Sequence, residues 1–150
     1  MFKIIKINDK RLRINCKKKL NYNKIKKLYF IKQMIIIMYK KNGIGISSRQ
    51  LNINNMIIIL SIKKNKPIII INPLILKKSK LCTISNEGCL SIPNFYSSMI
   101  RPEKILLKYI NLYNIVKKKI FNNLISRCIQ HEIDHLFGIL ILDYYNIIIK

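Results

Sequence analysis

No stretch of this chain is long and apolar enough to cross a bilayer. The longest runs, such as Met34–Met38 and Met56–Leu60, fall far short of the ~20 residues a crossing needs. The opening residues, MFKIIKINDKRLR, meet a charge every few positions and contain no apolar core, so no signal peptide is expected. The four cysteines, Cys16, Cys82, Cys89 and Cys128, include no CxxC pair. Without an export signal they are expected to stay reduced in the cytoplasm, as core filler or metal ligands. Internal repeats and linker-like segments are lacking as well. One domain over residues 1–150 is expected.

Acid is scarce. Six Asp or Glu stand against 29 Lys or Arg, a formal net charge of +23. Such an excess suggests nucleic-acid binding, but the lysines are spread over the whole length and a binding patch should cluster. Ile, Lys and Asn dominate, and all three have A/T-rich codons. Base composition in an A/T-rich bacterial genome therefore accounts for the charge better than a selected surface does. No sequence-specific nucleic-acid partner is expected. The charge still gives salt-sensitive attraction to RNA-rich surfaces, ribosomes included. Half of the residues are hydrophobic, which excludes compositional disorder and leaves enough for a core.

The apolar residues Ile25, Leu28, Ile31, Ile35 and Met38 recur at spacings of three and four, predicting an amphipathic helix over 23–42. Gly43 follows as its terminating glycine, and GIGISSRQ (43–50) reads as an ordered loop. Met56–Ser61 and Ile68–Ile71 predict strands about a turn at KKNKP (63–67). Residues 105–121 predict two more strands about 111–114. From Asn123 to Phe137 the period becomes helical again, with Leu124, Cys128, His131 and His135 on one stripe. Strands grouped between two helices predict an α+β fold.

Both histidines and two of the six acids fall within His131-Glu132-Ile133-Asp134-His135, an HExxH sequence. Residues four apart on a helix share a face one turn apart, so two imidazoles can bind one ion. The Glu beside the first can then serve as general base on water activated there. A catalytic site of this kind takes three protein ligands, and no third His or Glu follows downstream. That leaves the thiols. Cys128 lies on the same helical face, and Cys89 lies in Glu87-Gly88-Cys89-Leu90-Ser91. Spacing alone does not choose between them.

Three segments resemble the signatures of peptide deformylases: GIGISSRQ (43–50), EGCLS (87–91) and QHEIDH (130–135), in the family's order. Weaker resemblance runs through DKRLR near the start, INP at 71–73 and SIP at 91–93. The resemblance implies antiparallel or mixed sheets around a central HExxH helix. It implies Cys89, His131 and His135 as ligands of one divalent metal, ferrous iron with zinc, nickel or cobalt as alternatives. It implies Glu132 as general acid and base. Gln50 and the Leu90 N–H would be the oxyanion donors, and Gly45 would hydrogen-bond the peptide backbone. The implied reaction removes formate from N-formylmethionyl nascent peptides. The methionine pocket is expected from Ile44, Leu124 and Cys128.

Several positions depart from the family pattern. Ser47 and Ser48 replace a pair of alanines, and Arg49 is expected to face solvent. Arg127 stands where an apolar pocket residue is common. Asp134 and Glu87 are candidates for groups behind the ligands or for ion-pair partners of Arg101, while Asp143 and Glu103 read as surface acids. The chain stops at Lys150, soon after the motif helix, so any ribosome contact is expected from the basic surface. Two other classes compete: an RNA- or ribosome-binding protein with a structural metal, and an HExxH endopeptidase. The first lacks a fourth protein ligand, the second a downstream one.

Overall fold

The computed structural model describes residues 2–18, 23–62 and 66–148, with side chains in the last helix described through Tyr144. Asn23 caps the first long helix, α1 (Lys24–Lys40), by accepting the Lys26 N–H at 3.1 Å. Two residues past the helix, Asn42 has a φ of 53°, in the left-handed region. Gly43 follows without a positive φ, so the terminating conformation expected of the glycine is supplied one residue earlier.

A five-stranded antiparallel sheet carries the order β1 (Gly45–Ser47), β2 (Ile57–Leu60), β3 (Ile68–Lys78), β6 (Lys104–Ile110) and β7 (Val116–Asn122). Its β2 strand is buried on both faces. Ile58 and Leu60 join one apolar cluster with Ile129, Ile133 and Leu136 of α2 (Asn123–Leu136). Ile57 and Ile59 join another with Ile31, Met34, Ile37 and Met38 of α1. This explains why β2 reads as a continuous apolar run rather than an alternating one. In β3 the register slips between Ile71 and Leu74, where Asn72 has φ 50° and Pro73 has no N–H to donate.

The turn expected at 63–67 falls partly on residues 63–65, which lie outside the described ones. The turn at 111–114 is built on Asn111, whose Oδ1 accepts from the N–H groups of Tyr113 and Ile115 at 3.0 and 2.9 Å.

A second, two-stranded antiparallel ribbon, β4 (Cys82–Cys89) and β5 (Ile92–Pro102), was not anticipated. A third small cluster, with Cys89, Ile92, Met99 and Ile141, packs it against a short C-terminal helix, α3 (Ile141–Ile148). The expected fold class holds: α+β, antiparallel sheets, and the HExxH helix inside. The amphipathic face of α1 is a correction. Lys27, Ile31, Met34, Ile37 and Met38 are buried, while Ile25 is 79% exposed and Leu28 42% exposed. Lys27 is buried because its Nζ donates to Asn114 Oδ1 at 2.7 Å.

Left-handed backbone is carried by asparagine. Among the described residues, the non-glycine positions with positive φ are Asn42, Asn52, Asn72, Asn94, Asn114 and Asn123. Asparagine tolerates this region because its short polar side chain satisfies neighbouring backbone groups. No helix among the described residues is long and apolar enough to cross a membrane.

Candidate active site

His131 and His135 stand one turn apart on the buried face of α2, and Cys89 closes β4 beside them. Cys89 Sγ lies 3.1 Å from His135 Nε2, which lies 3.2 Å from His131 Nε2. All three donor atoms fall within 4.8 Å of one another, and all three residues are buried. His131 Nδ1 faces Glu87 Oε2 at 3.0 Å. A proton on Nδ1 donated to that carboxylate leaves the Nε2 lone pair aimed into the cluster. A thiol and two imidazoles brought this close have no better common partner than a cation. The donor set suits a divalent transition metal.

Cys128 is not part of the cluster. Burial, with Glu132 and Glu87 adding, pushes its thiol up to about 12, so it stays protonated near neutral pH. It lines the cleft instead, with Ile44, Gly45, Gln50, Leu90 and Leu124. That cleft, about 540 Å³ in volume, opens between β1, the ribbon and α2. Ile44 and Leu124 expose 43% and 47% of their surface, leaving apolar area on its wall for an apolar ligand group.

Glu132 also lines the cleft and is almost entirely buried. Its Oε2 has no hydrogen-bond partner. Burial, against the opposing charge of His131, raises its carboxyl to about 7. A carboxyl so placed can both accept and return a proton near neutral pH. Glycine at position 45 is what lets Glu132 come this close. A Cβ there would sit 2.5 Å from Glu132 Oε1 and 3.2 Å from both Cδ and Cγ.

Gln50 is oriented by the backbone. Its Oε1 accepts the Ser47 N–H at 3.0 Å, which turns the Nε2 edge towards Ser91 Oγ at 3.2 Å and Cys89 Sγ at 3.6 Å. The N-terminal segment secures both sides of this corner. Ile5 N–H donates to Gln50 O at 2.8 Å, Ile7 N–H to Ser91 O at 3.2 Å, and Lys6 Nζ to Leu90 O at 2.9 Å. Nothing in the sequence singled out Lys6. Its contact spans 84 positions and has no local signature.

Behind the histidines lies a buried charge network. Arg101 donates Nε and Nη2 to the two oxygens of Glu87 at 2.6 and 2.9 Å, and Nη1 to Asp134 Oδ2 at 2.8 Å. Glu87 thus contacts His131 directly, and both Glu87 and Asp134 pair with Arg101. Burial alone would raise the Glu87 carboxyl, but hydrogen bonds from His131 and Arg101 outweigh it and hold it at about 2. Tyr144 of α3 adds a hydroxyl to Asp134 Oδ2 at 3.0 Å.

One expectation is corrected here. Arg49 does not face solvent: it is 2% exposed, and its guanidinium donates to Ile14 O and Asn52 Oδ1 at 3.2 and 3.4 Å. Asp143 lies at the surface as expected, where its Oδ2 pairs with Arg13 and accepts the Leu140 N–H at 2.8 Å.

Comparison with known proteins gives one family. The polypeptide deformylase model matches residues 1–148. A peptide deformylase of Buchnera aphidicola subsp. Cinara cedri is 42% identical over 147 residues, covering 96% of this chain and 97% of the relative. Among solved structures, the probable peptide deformylase of Synechococcus phage S-SSM7 superposes with a TM-score of 0.91 at 32% identity, covering 96% of this chain and 99% of that one. A peptide deformylase of Synechococcus elongatus in complex with actinonin gives 0.88 at 31% identity, covering 95% and 79%.

Proposed function

The chain belongs to the polypeptide deformylase family, and from that premise we propose that it hydrolyses the formamide of N-formylmethionyl nascent polypeptides, releasing formate. One observation carries the reading. Cys89, His131 and His135 converge on a single point at the wall of a cleft, beside a buried glutamate with an unpaired oxygen.

Cys89 Sγ, His131 Nε2 and His135 Nε2 would hold one divalent metal, ferrous iron first, with zinc, nickel or cobalt as substitutes. Such an ion supplies Lewis acidity, which brings hydroxide within reach at neutral pH and polarises a carbonyl. Everything else falls to the chain. Glu132 takes a proton from the attacking water and delivers it to the departing amine. Gln50 Nε2 and the Leu90 N–H donate to the formyl oxygen as it gains charge; each such donor is worth roughly a hundredfold or more in rate. The Gly45 backbone aligns the peptide, and Ile44, Leu124 and Cys128 receive the methionine side chain. Glu87 holds the His131 ring. We take residues 1–150 as one domain working in the cytoplasm, with any ribosome contact made by the basic surface.

Formate release from formyl-Met-Ala-Ser by anaerobically purified protein tests the activity. Glu132→Gln should keep the metal and lose roughly 10²–10⁴-fold in turnover, as expected for a missing proton-transfer group. A metal-loaded Glu132→Gln protein with near wild-type turnover would refute the assigned role.

A further inference from the structure

The three donors come from two elements. Cys89 ends the β4–β5 ribbon, and His131 and His135 lie on α2, so their mutual distance depends on what fixes ribbon to helix. Two arginines do this, reaching in opposite directions. Arg101 leaves β5 and spans Glu87 and Asp134. Arg127 leaves α2 and enters the ribbon. Its Nη1 donates to Glu87 Oε1 at 2.8 Å and Met99 O at 2.9 Å, and its Nη2 to Thr83 O at 2.7 Å and Thr83 Oγ1 at 3.1 Å. One guanidinium thereby grips both strands and the carboxylate together. The side chains of Arg127 and Glu87 are 8% and 6% exposed, so these bonds form away from competing water.

Glu87 has two oxygens to share. Oε1 takes both arginines, and Oε2 takes Arg101 and His131 Nδ1. A carboxylate held on both oxygens cannot rotate, and an imidazole bonded to it inherits that fixed plane. Without Arg127 the Glu87 charge is still compensated by Arg101. What disappears is the bond tying the carboxylate to the strand backbone and to α2 at once.

We propose that Arg127 is a positioning residue for the metal. Acting through Glu87, it fixes the His131 ring relative to the Cys89 strand. It is therefore a metal-retention group, although it also lines the cleft. This rests on the ligand assignment proposed above.

The test uses the full chain loaded with Ni²⁺, with Kd read by chelator competition, and with Co²⁺, whose absorption bands report ligand geometry. Outer groups that orient metal-bound histidines are typically worth about 10–100-fold in metal affinity, and that is the loss expected for Arg127→Met. Its Co²⁺ bands should shift. Combined with Glu87→Gln, the loss should fall below the product of the two single losses, because both act on one ring. Arg127→Lys, which keeps the charge but not the fork, should fall between. A folded Arg127→Met protein with wild-type Kd and spectrum overturns the proposal, as does a fully multiplicative double variant. If Arg127→Met does not fold, Arg127→Lys decides by the same readings. Unfolding of both variants overturns the proposal in favour of a scaffold role. Wild-type protein binding Ni²⁺ no better than Cys89→Ala would instead refute the ligand assignment.

Discussion

Replacing Gly45 by Ala probes the catalytic arrangement through a single methyl group. The new Cβ would lie 2.5 Å from Glu132 Oε1, where ordinary contact begins near 3.4 Å, so the carboxylate must retreat by about 0.9 Å. Rotation of the carboxylate end does not clear the clash, because Cδ and Cγ stand only 3.2 Å away and the whole arm has to move. Glu132 is 5% exposed, which leaves little room for that movement. Misplacement of a reacting group by ~1 Å costs on the order of a hundredfold in rate. Overpacking of this kind destabilises by about 1–3 kcal/mol. The expected result is a protein that folds and binds metal but releases formate from formyl-Met-Ala-Ser roughly a hundredfold more slowly. The loss should be in kcat, with metal content and melting temperature measured beside it. Wild-type kcat in folded, metal-loaded Gly45→Ala would refute the claim that Glu132 works from the position seen here.

Three further outcomes are expected. Cys89→Ala should lose the metal, whereas Cys128→Ala should keep it and change mainly KM; metal analysis and formate release on both would expose the reverse pattern. Iron-loaded protein should lose activity in air through oxidation of the ion or of Cys89, while the nickel form persists; equal decay of both forms, followed in parallel, would argue against a ferrous centre. Gly138→Ala should lower the melting temperature, since φ there is +69° and a Cβ would lie 2.3 Å from Arg13 O. The left-handed conformation alone costs about 1–2 kcal/mol for an alanine, and the clash adds to it. An unchanged melting temperature would show that the Arg13 backbone yields freely.

The parts of the fold that a local pattern can encode were legible. His131 and His135 needed only helical period, and the strands at 57–60 and 68–71 needed only their isoleucines. The facing of α1 was not legible. In so isoleucine-rich a helix several phases look equally apolar, and the deciding residue, Lys27, is buried through Asn114, 87 positions away. The β4–β5 ribbon escaped notice for the opposite reason. Ile84 and Ile100 are register partners, yet 70% and 63% exposed, so neither strand shows an inward apolar alternation. Cys89 was singled out from Cys128 only by family resemblance, because contacts between separate elements leave no spacing to read. The same limit hid the destinations of Arg49 and Arg127. A buried arginine is indistinguishable in sequence from a solvated one until its acceptors, here backbone carbonyls and side-chain oxygens from distant segments, are in place.

The asparagine turns have a consequence for how tolerant this chain is to change. Glycine ordinarily performs two jobs, adopting backbone shapes other residues resist and occupying almost no room. Among the described residues the first job has largely passed to asparagine, at six positions. The four glycines that remain stand where an added carbon would strike Leu90, Glu132, Tyr96 or the Arg13 backbone. The two kinds of position should therefore respond oppositely to engineering. Asn42, Asn94 and Asn123 offer places where a swap to glycine relieves strain, whereas Asn52 and Asn114 also accept from Arg49 and Lys27; three of the glycines, at 43, 45 and 88, are vacancies that the neighbouring side chains already use.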